Sequence, residues 1–492
     1  MSAYALPDSV KKDLETFSAQ CNDFNSGKID SLLFKTFRVP FGIYEQREAG
    51  SYMVRVRPAA GILTPRQLSV LAGLAADYAQ PRLHVTTRGG VQLHNIKPDD
   101  FLPVMEALHS AGLTGRGGGG NTVRNIVCDP YSGTAADETF DVTPHVLALT
   151  NKMLEQKDSY SLPRKYKIAF SSSPADRALA LFADLGFIAK VSDGRRGFRV
   201  FTAGGLGNQS KTARPFADFI PEDEIFLIAQ SIKKVFDEKG NRRNKNAARL
   251  RFLAEELGFD VFEKLVHEKM HLLRSEGGWR LEINELPQIE PDRQDAAVNG
   301  LSEDEKLWRS RFVFSQKQNG YYSAKLPLLL GDISAAKAAE LAAALEKIPR
   351  ETIRLCNDQN VIIRNLKPAE LAALYPLFKE ISPLVSKAAL IGNIIVCTGA
   401  ATCQLGITIP RGALGAIEKA LAGAGIPLDE LNGFKINISG CPNSCGRHET
   451  ADLGFSGKAL REGDSPYPAY NIFGGARFGE NAARLGKKIS DI

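Results

Sequence analysis

The chain lacks most of the signatures that would assign it quickly. Nothing in MSAYALPDSVKKDLE has the charged-then-apolar build of an export leader, and no uninterrupted apolar run reaches membrane-spanning length. There is no C-x-x-C pair, no GK[ST] phosphate loop, and no glycine fingerprint for a flavin or a nicotinamide. Basic residues are not interleaved with aromatics, and the balance of 62 Lys and Arg against 56 Asp and Glu leaves only +6. A non-catalytic nucleic-acid-associating protein is therefore the weaker alternative. Cysteine is scarce, at 7 residues, and Cys21, Cys128 and Cys356 are scattered singly, which argues against a disulfide framework and for a reducing, cytoplasmic setting.

The remaining four cysteines are paired: Cys397 and Cys403 in CTGAATC, Cys441 and Cys445 in SGCPNSCGRH. A soft thiolate quartet holds iron or zinc. Structural zinc sites pair cysteines two to four residues apart, so the wider first pair favours an iron–sulfur cluster and leaves zinc as the alternative.

The chain also repeats itself with a shift of about 270 residues, too long for a solenoid period. LHVTTRGGVQLHNIKP from residue 83 lies over IRLCNDQNVIIRNLKP from residue 353, and Gly50, Tyr52 and Gly61 fall on Gly320, Tyr322 and Gly331. YKIAFSSSPADRALALFADLGF from Tyr166 lies over FKINISGCPNSCGRHETADLGF from Phe434, and NIVC ending at Cys128 echoes NIIVC ending at Cys397. Each half reads as strand, helix, strand, strand, helix, followed by a larger α/β module. A helical stretch runs from about Pro221 to Arg274, and the polar run over 285–305 reads as the linker. The expected fold is α+β and internally duplicated: two ferredoxin-like half modules and two larger α/β modules around a shared cofactor site. The expected bounds are 1–113, 114–284, 300–385 and 386–492.

Cations cluster in the first half: Arg55 and Arg57 in MVRVR, Arg88 and His94 in TTRGGVQLH, Arg124 in NTVRN, Lys165 and Lys167 in LPRKYK. Arginine grips carboxylates and oxyanions bidentately. Two residues apart on a strand, Lys165 and Lys167 point to one face and reach one bound anion. GRGGGGN at 115–121 reads as a flexible loop presenting Arg124, AGGLG at 203–207 as backbone that approaches a macrocycle, and His448 as a structural or solvent-facing residue.

The cysteine motifs, the duplication and the basic motifs together resemble the sulfite and nitrite reductase family over residues from about 35 to 480. The resemblance implies a siroheme and a 4Fe-4S cluster, with Cys397, Cys403, Cys441 and Cys445 as cluster ligands and Cys445 bridging to the siroheme iron. It implies that Arg55, Arg124, Lys165 and Lys167 bind the substrate anion, and that Thr86, Thr87, Arg88, Gln92 and His94 contact siroheme, with Gln359 and Asn360 as the second half's counterpart. The implied reaction is six-electron reduction of sulfite to sulfide or of nitrite to ammonia, fed by a separate carrier such as a ferredoxin or a flavoprotein. Lys167 resembles sulfite reductases, while the NTVRN and CPNSCG wording is closer to nitrite reductases; the lysine tips the expectation to sulfite. Precorrin-3B synthase, a relative that keeps the cluster motif, needs no lysine pair. The family commonly continues some tens of residues past GGARFG, so a short C-terminal end is expected.

Overall fold

The computed structural model describes residues 4–291 and 300–492; the centre of the expected linker, 292–299, lies outside the described residues. Four five-stranded sheets carry the chain. Two are small and antiparallel, and each takes one strand from the other half of the sequence. Asp332–Ser334 pairs with Arg82–Val85, and Ile62–Leu63 pairs with Ile353–Leu355. The registers repeat the duplication: Ile333 lies opposite Leu83, and Leu63 opposite Ile353.

Both exchanged strands are set up the same way. Ala60 and Leu330 hold left-handed backbone at φ 53° and 59°, and Gly61 and Gly331 follow. A Cβ on either glycine would stand 2.8 Å from Leu355 O or 2.7 Å from Val85 O, so only glycine lets the crossing strand close on its neighbour. A helix starts directly after each strand. Pro65–Tyr78 is capped by Thr64 and Gln67 in a reciprocal capping box, Ala335–Glu346 by Ser334, and the two helices pack on each other. One shared core results, joining Leu68, Leu71 and Leu83 to Ala338, Leu341 and Ile353. The half modules are thus interlocked by strand exchange. The sequence reading gave the two half modules but not the exchange between them, because strands of two or three residues carry no period to read.

On the first small sheet Val54, Val56, Val91 and Leu93 are buried in that core. Alternation sends Arg55, Gln92 and His94 to the other face, where Arg55 lies opposite Gln92 and Gln92 opposite His84. That face fronts the larger modules.

Each larger sheet joins three parallel strands to two antiparallel ones. Ile168–Ser171 and Ile436–Ser439 lie second from the edge, each beside the central strand of its sheet, Leu185–Ser192 and Leu453–Glu462. The first has an aromatic core, with Phe170 stacked on Phe187 at 4.4 Å and Phe198 edge-on to both. The helical stretch resolves into Ile225–Lys239, Leu250–Leu257 and Phe259–Glu276. Two helices that the sequence reading left unassigned, Asp8–Asn25 and Ser31–Arg38, precede the first module; Phe17 and Phe24 stack on Phe34 between them, and Phe17 and Phe34 stack on Phe41 and Phe101 of the module. Among the described residues no helix is long and apolar enough to cross a membrane.

Candidate functional site

The polar face of the first small sheet, the loop at 115–125 and the segment before Ile168 meet in a basin of positive charge. Arg55 donates to Gly118 O at 2.8 Å, and Arg124 donates to the same carbonyl. Arg55 also lies over the Tyr44 ring at 5.4 Å. The Tyr44 hydroxyl accepts from Gly120 N at 2.7 Å, and its acidity is set by opposed effects: burial raises its pKa, while Arg124 and Arg55 lower it further. Burial pushes Arg124 down to about 10. The glycine run that builds this loop is packed, not flexible. A Cβ on Gly115 would sit 2.2 Å from Phe41 O, and one on Gly119 2.1 Å from Val39 O. Arg57, beside it, spends its donors on Arg116 O at 2.8 Å and Val123 O at 3.4 Å and is part of the scaffold.

Lys165 and Lys167 flank Tyr166, which is fully buried behind them, so the two lysines share the opposite face as their spacing predicts. Neither ammonium has an ion-pair or hydrogen-bond partner among the described residues. Burial and then repulsion from Arg249 bring Lys165 down to about 7; burial and then Lys165 and Arg249 hold Lys167 well below the usual lysine range. Lys167 is fixed through its backbone, which donates to Asp184 Oδ2 at 2.9 Å. Asp184 in turn takes a forked bond from Arg249, at 2.8 and 2.9 Å, and sets a carboxylate among these cations. Arg249 arrives as the N-cap residue of Leu250–Leu257. The AGGLG loop packs on it: a Cβ at Gly205 would stand 2.8 Å from its guanidinium, which is the close approach the structure shows there.

The TTRGG turn closes the basin toward the second half. Thr86 Oγ1 accepts from Arg88 N and Gly90 N and holds the turn. Thr87 Oγ1 donates to Cys445 O at 3.2 Å, and its carbonyl accepts from Arg447. Arg88 donates to Asn125 O, while its Nε is buried without a partner. Burial, with Arg447 and Arg124 adding repulsion, takes its pKa well below the usual range. His94, 4% exposed, meets Gln92 at 3.2 Å and is brought down to about 3 by burial, so it is neutral. Gln359 and Asn360 are not part of this basin's open face. Gln359 bridges Val396 N and Val85 O, and Asn360 accepts from Leu328 N and donates to Gly392 O, so both serve as scaffold.

All four paired cysteines are free thiols on the loops after Ile395–Val396 and Ile436–Ser439. They sense one another: Cys445 and Cys441 act on Cys397, and Cys445 and Cys403 on Cys441. Burial drives Cys397 up to about 12, opposed by hydrogen bonds from backbone amides, among them Gly440 N at 3.1 Å from its sulfur. Among the described residues no three His, Cys, Asp or Glu side chains close round a single ion. Soft thiols backed by inward amides fit a 4Fe-4S cluster, and an excess of buried cations with an orphaned Arg88 Nε fits a polycarboxylate macrocycle beside it. His448 is buried, 4.9 Å from the Phe473 ring, and lowered to about 4 by burial; it is structural.

Tyr44, Asn125, Asp184, Arg249 and Arg447 were not singled out by sequence. Asp184 alone carried a signal, since ADLGF recurs around Asp452.

Two family models match. The nitrite and sulphite reductase 4Fe-4S domain covers residues 119–272 and 387–487. The nitrite/sulfite reductase ferredoxin-like half domain covers 44–111 and 314–381. A ferredoxin–nitrite reductase of Synechococcus elongatus is 30% identical over 89% of this chain and 82% of its own length. The NADPH sulfite reductase hemoprotein beta-component of Geobacillus kaustophilus is 29% identical over 89% of this chain and 77% of its own length. The solved structure of the Mycobacterium tuberculosis NirA protein shares the fold, with a TM-score of 0.81 over 97% of this chain and 88% of that one, at 23% identity. The chain belongs to the nitrite and sulphite reductase family, oxidoreductases built around a siroheme and a 4Fe-4S cluster.

Proposed function

We propose that the chain reduces sulfite to sulfide with six electrons. The observation that carries this reading is the lysine pair: Lys165 and Lys167 share one face and neither Nζ has an ion-pair or hydrogen-bond partner among the described residues, which suits a dianion better than a monoanion. When bound, siroheme and cluster supply the electrons and an open iron for the substrate's central atom. Cys397, Cys403, Cys441 and Cys445 would hold the cluster, with Cys445 next to the siroheme; Thr86, Thr87, Arg88, Gln92 and His94 would line the macrocycle.

Arg55 and Arg124 are anchored by a common carbonyl, so their remaining donors are preorganised for the oxygens of the anion. Lys165, lowered to about 7, holds a proton at Nζ that it can give up near neutral pH as an oxygen leaves as water. Lys167, whose pKa burial and then Lys165 and Arg249 also lower, faces the same anion, and the bound anion would favour its charged form. Asp184 and Arg249 set the position of that pair rather than touching substrate. Electrons come from a separate donor, a ferredoxin or a flavoprotein, and the free thiols call for a reducing, cytoplasmic setting. The working parts divide at 1–113, 114–284, 300–385 and 386–492, with the exchanged strands crossing between the first and third.

The experiment is steady-state oxidation of a reduced dye by the cofactor-loaded protein, with sulfite and nitrite compared at matched concentrations. A higher kcat/KM for sulfite supports the proposal, and a higher value for nitrite replaces it with reduction to ammonia. That second reading is favoured by the names of the Synechococcus elongatus relative and of the assimilatory ferredoxin-dependent nitrite reductase of Haloferax mediterranei, 28% identical over 96% of this chain and 82% of its own length.

A further inference from the structure

The duplication that builds the basin also builds a counterpart to it in the second half. Lys325 stands where the first half has Arg55, Asp358 where it has Arg88, and Lys435 where it has Lys167. The matching is local as well as sequential: Lys435 N donates to Asp452 Oδ2 at 2.9 Å, as Lys167 N does to Asp184 Oδ2. At the position of Cys445 the mate carries Arg177, so no thiolate is offered there. These residues surround a cavity of about 390 Å³, within the range of small-molecule sites, and none of Arg55, Arg124, Lys165, Lys167 or Cys445 lines it.

Its charges are only partly paired. Lys325 meets Asp358 at 2.8 Å, Arg177 meets Asp129 and Asp137, and Arg311 meets Asp429 at 2.7 Å. Asp176 accepts from Ala180 N and Leu181 N, and burial raises it to about 7. Lys435 and Arg447 have no carboxylate among the described residues; Lys435 Nζ lies 3.6 Å from the centre of the Phe478 ring, and Arg447 gives a bond to Thr87 O. Asn437, 1% exposed, spends its amide N–H groups on Arg447 O and Thr450 O and leaves its buried Oδ1 without a donor. Tyr131, Phe314, Phe434 and Phe478 supply flat apolar walls.

We propose that this cavity is a second ligand site, which takes a planar aromatic carboxylate bearing a hydroxyl. The carboxylate meets Lys435 and Arg447, the hydroxyl donates to Asn437 Oδ1, and the ring lies between the aromatic walls. The site shares Arg447 with the turn that carries Thr87 and otherwise uses none of the residues assigned to the reduction.

The test is a fluorescence titration of the full-length, cofactor-loaded protein with 6-hydroxy-2-naphthoate. Saturable binding is expected, with 2-naphthol, which lacks the carboxylate, at least about tenfold weaker. Lys435→Gln should weaken the naphthoate by about tenfold or more while leaving thermal unfolding unchanged. Ala175→Trp replaces an exposed residue of the cavity's rim with one large enough to block the mouth and should also abolish binding, so the test stands if Lys435→Gln fails to fold. Absence of saturable binding, equal affinity for 2-naphthol, or binding that Ala175→Trp leaves intact overturns the proposal.

Discussion

Replacing Lys167 with asparagine tests the substrate reading because the structure separates what the side chain does from what the backbone does. The backbone of Lys167 is held on both sides, its N–H by Asp184 Oδ2 at 2.9 Å and its carbonyl by Leu185 N at 3.1 Å. The ammonium has no partner among the described residues, and burial with repulsion from Lys165 and Arg249 keeps its pKa well below the ordinary value. Asparagine therefore keeps the strand in place and removes one charge. A hydrogen bond to a charged group contributes about 1.5–3 kcal/mol, so kcat/KM for sulfite should fall roughly 10- to 150-fold. Nitrite carries a single charge and keeps Arg55, Arg124 and Lys165, so its loss should stay near or below about 1 kcal/mol, some fivefold. The sulfite-to-nitrite ratio should then drop by about an order of magnitude. Relief of an uncompensated charge should leave the variant at least as stable as the parent in thermal unfolding. The assay is the dye-coupled rate for both anions on one preparation with matched cofactor loading. A ratio that moves less than about twofold, or an equal fall for both anions, refutes the reasoning.

Other perturbations have signed outcomes. In Lys165→Met the charge that burial disfavours is gone; since the native pKa of about 7 lies below the free value near 10.5, the wild type gains stability as pH rises through that window. The variant's advantage should thus be larger at pH 6 than at pH 9, by about 3 kcal/mol, and an advantage equal at both pH values would contradict the buried-charge account. Asp332 accepts from Arg82, His84 and Arg411 at 2.9, 2.7 and 2.9 Å and binds the exchanged strand to the other half; Asp332→Ala should cost about 3–5 kcal/mol in urea unfolding. Burial raises this carboxyl, but His84 and the two arginines outweigh it and leave the pKa lowered. Its stabilisation is therefore present above the free carboxyl pKa and lost as pH falls through the lower native one. Cys403→Ala, at an exposed position, should leave the fold intact while iron content and visible absorbance collapse together; retained iron would remove Cys403 from the ligand set.

Much of this was legible because duplication writes each structural requirement twice. Pairing residues 83–98 with 353–368 located both small sheets, and the spacing of Lys165 and Lys167 gave their common face. What stayed hidden was long-range or unperiodic. Two-residue Ile62–Leu63 and three-residue Asp332–Ser334 pair with strands some 250 to 290 positions away, and no local pattern encodes that. Arg249 sits in a helical stretch where an arginine looks like any solvated cation, and only the fold turns it onto Asp184. The glycine run at 115–121 reads as flexibility in sequence, yet at Gly115, Gly117, Gly118 and Gly119 the missing Cβ is space already taken by a neighbour.

The alignment of the two halves also needs one shift, and the shift explains why a cluster belongs to one half alone. The echo of NIVC and NIIVC sets Cys128 against Cys397, but in the structure Cys397 N bonds Ile438 O and its mate, Asp129 N, bonds Phe170 O. The mate of Cys397 is therefore Asp129, the mate of Cys441 is Ser173, and the mate of Cys445 is Arg177. In the first half these three positions close on one another: Arg177 pairs with Asp129 Oδ2 at 3.4 Å and donates to Ser173 Oγ at 3.1 Å. An ion pair occupies the place of the thiol cage. Both solutions satisfy the same buried loop geometry, in which Asp176 and Ser444 share left-handed backbone at φ 53° and 54°. An unpaired buried charge there would be costly, so single substitutions toward cysteine in the first half meet a stability barrier before any metal can bind. The backbone has stayed symmetric while the side chains have diverged, with thiols in the second half where the first half has an ion pair.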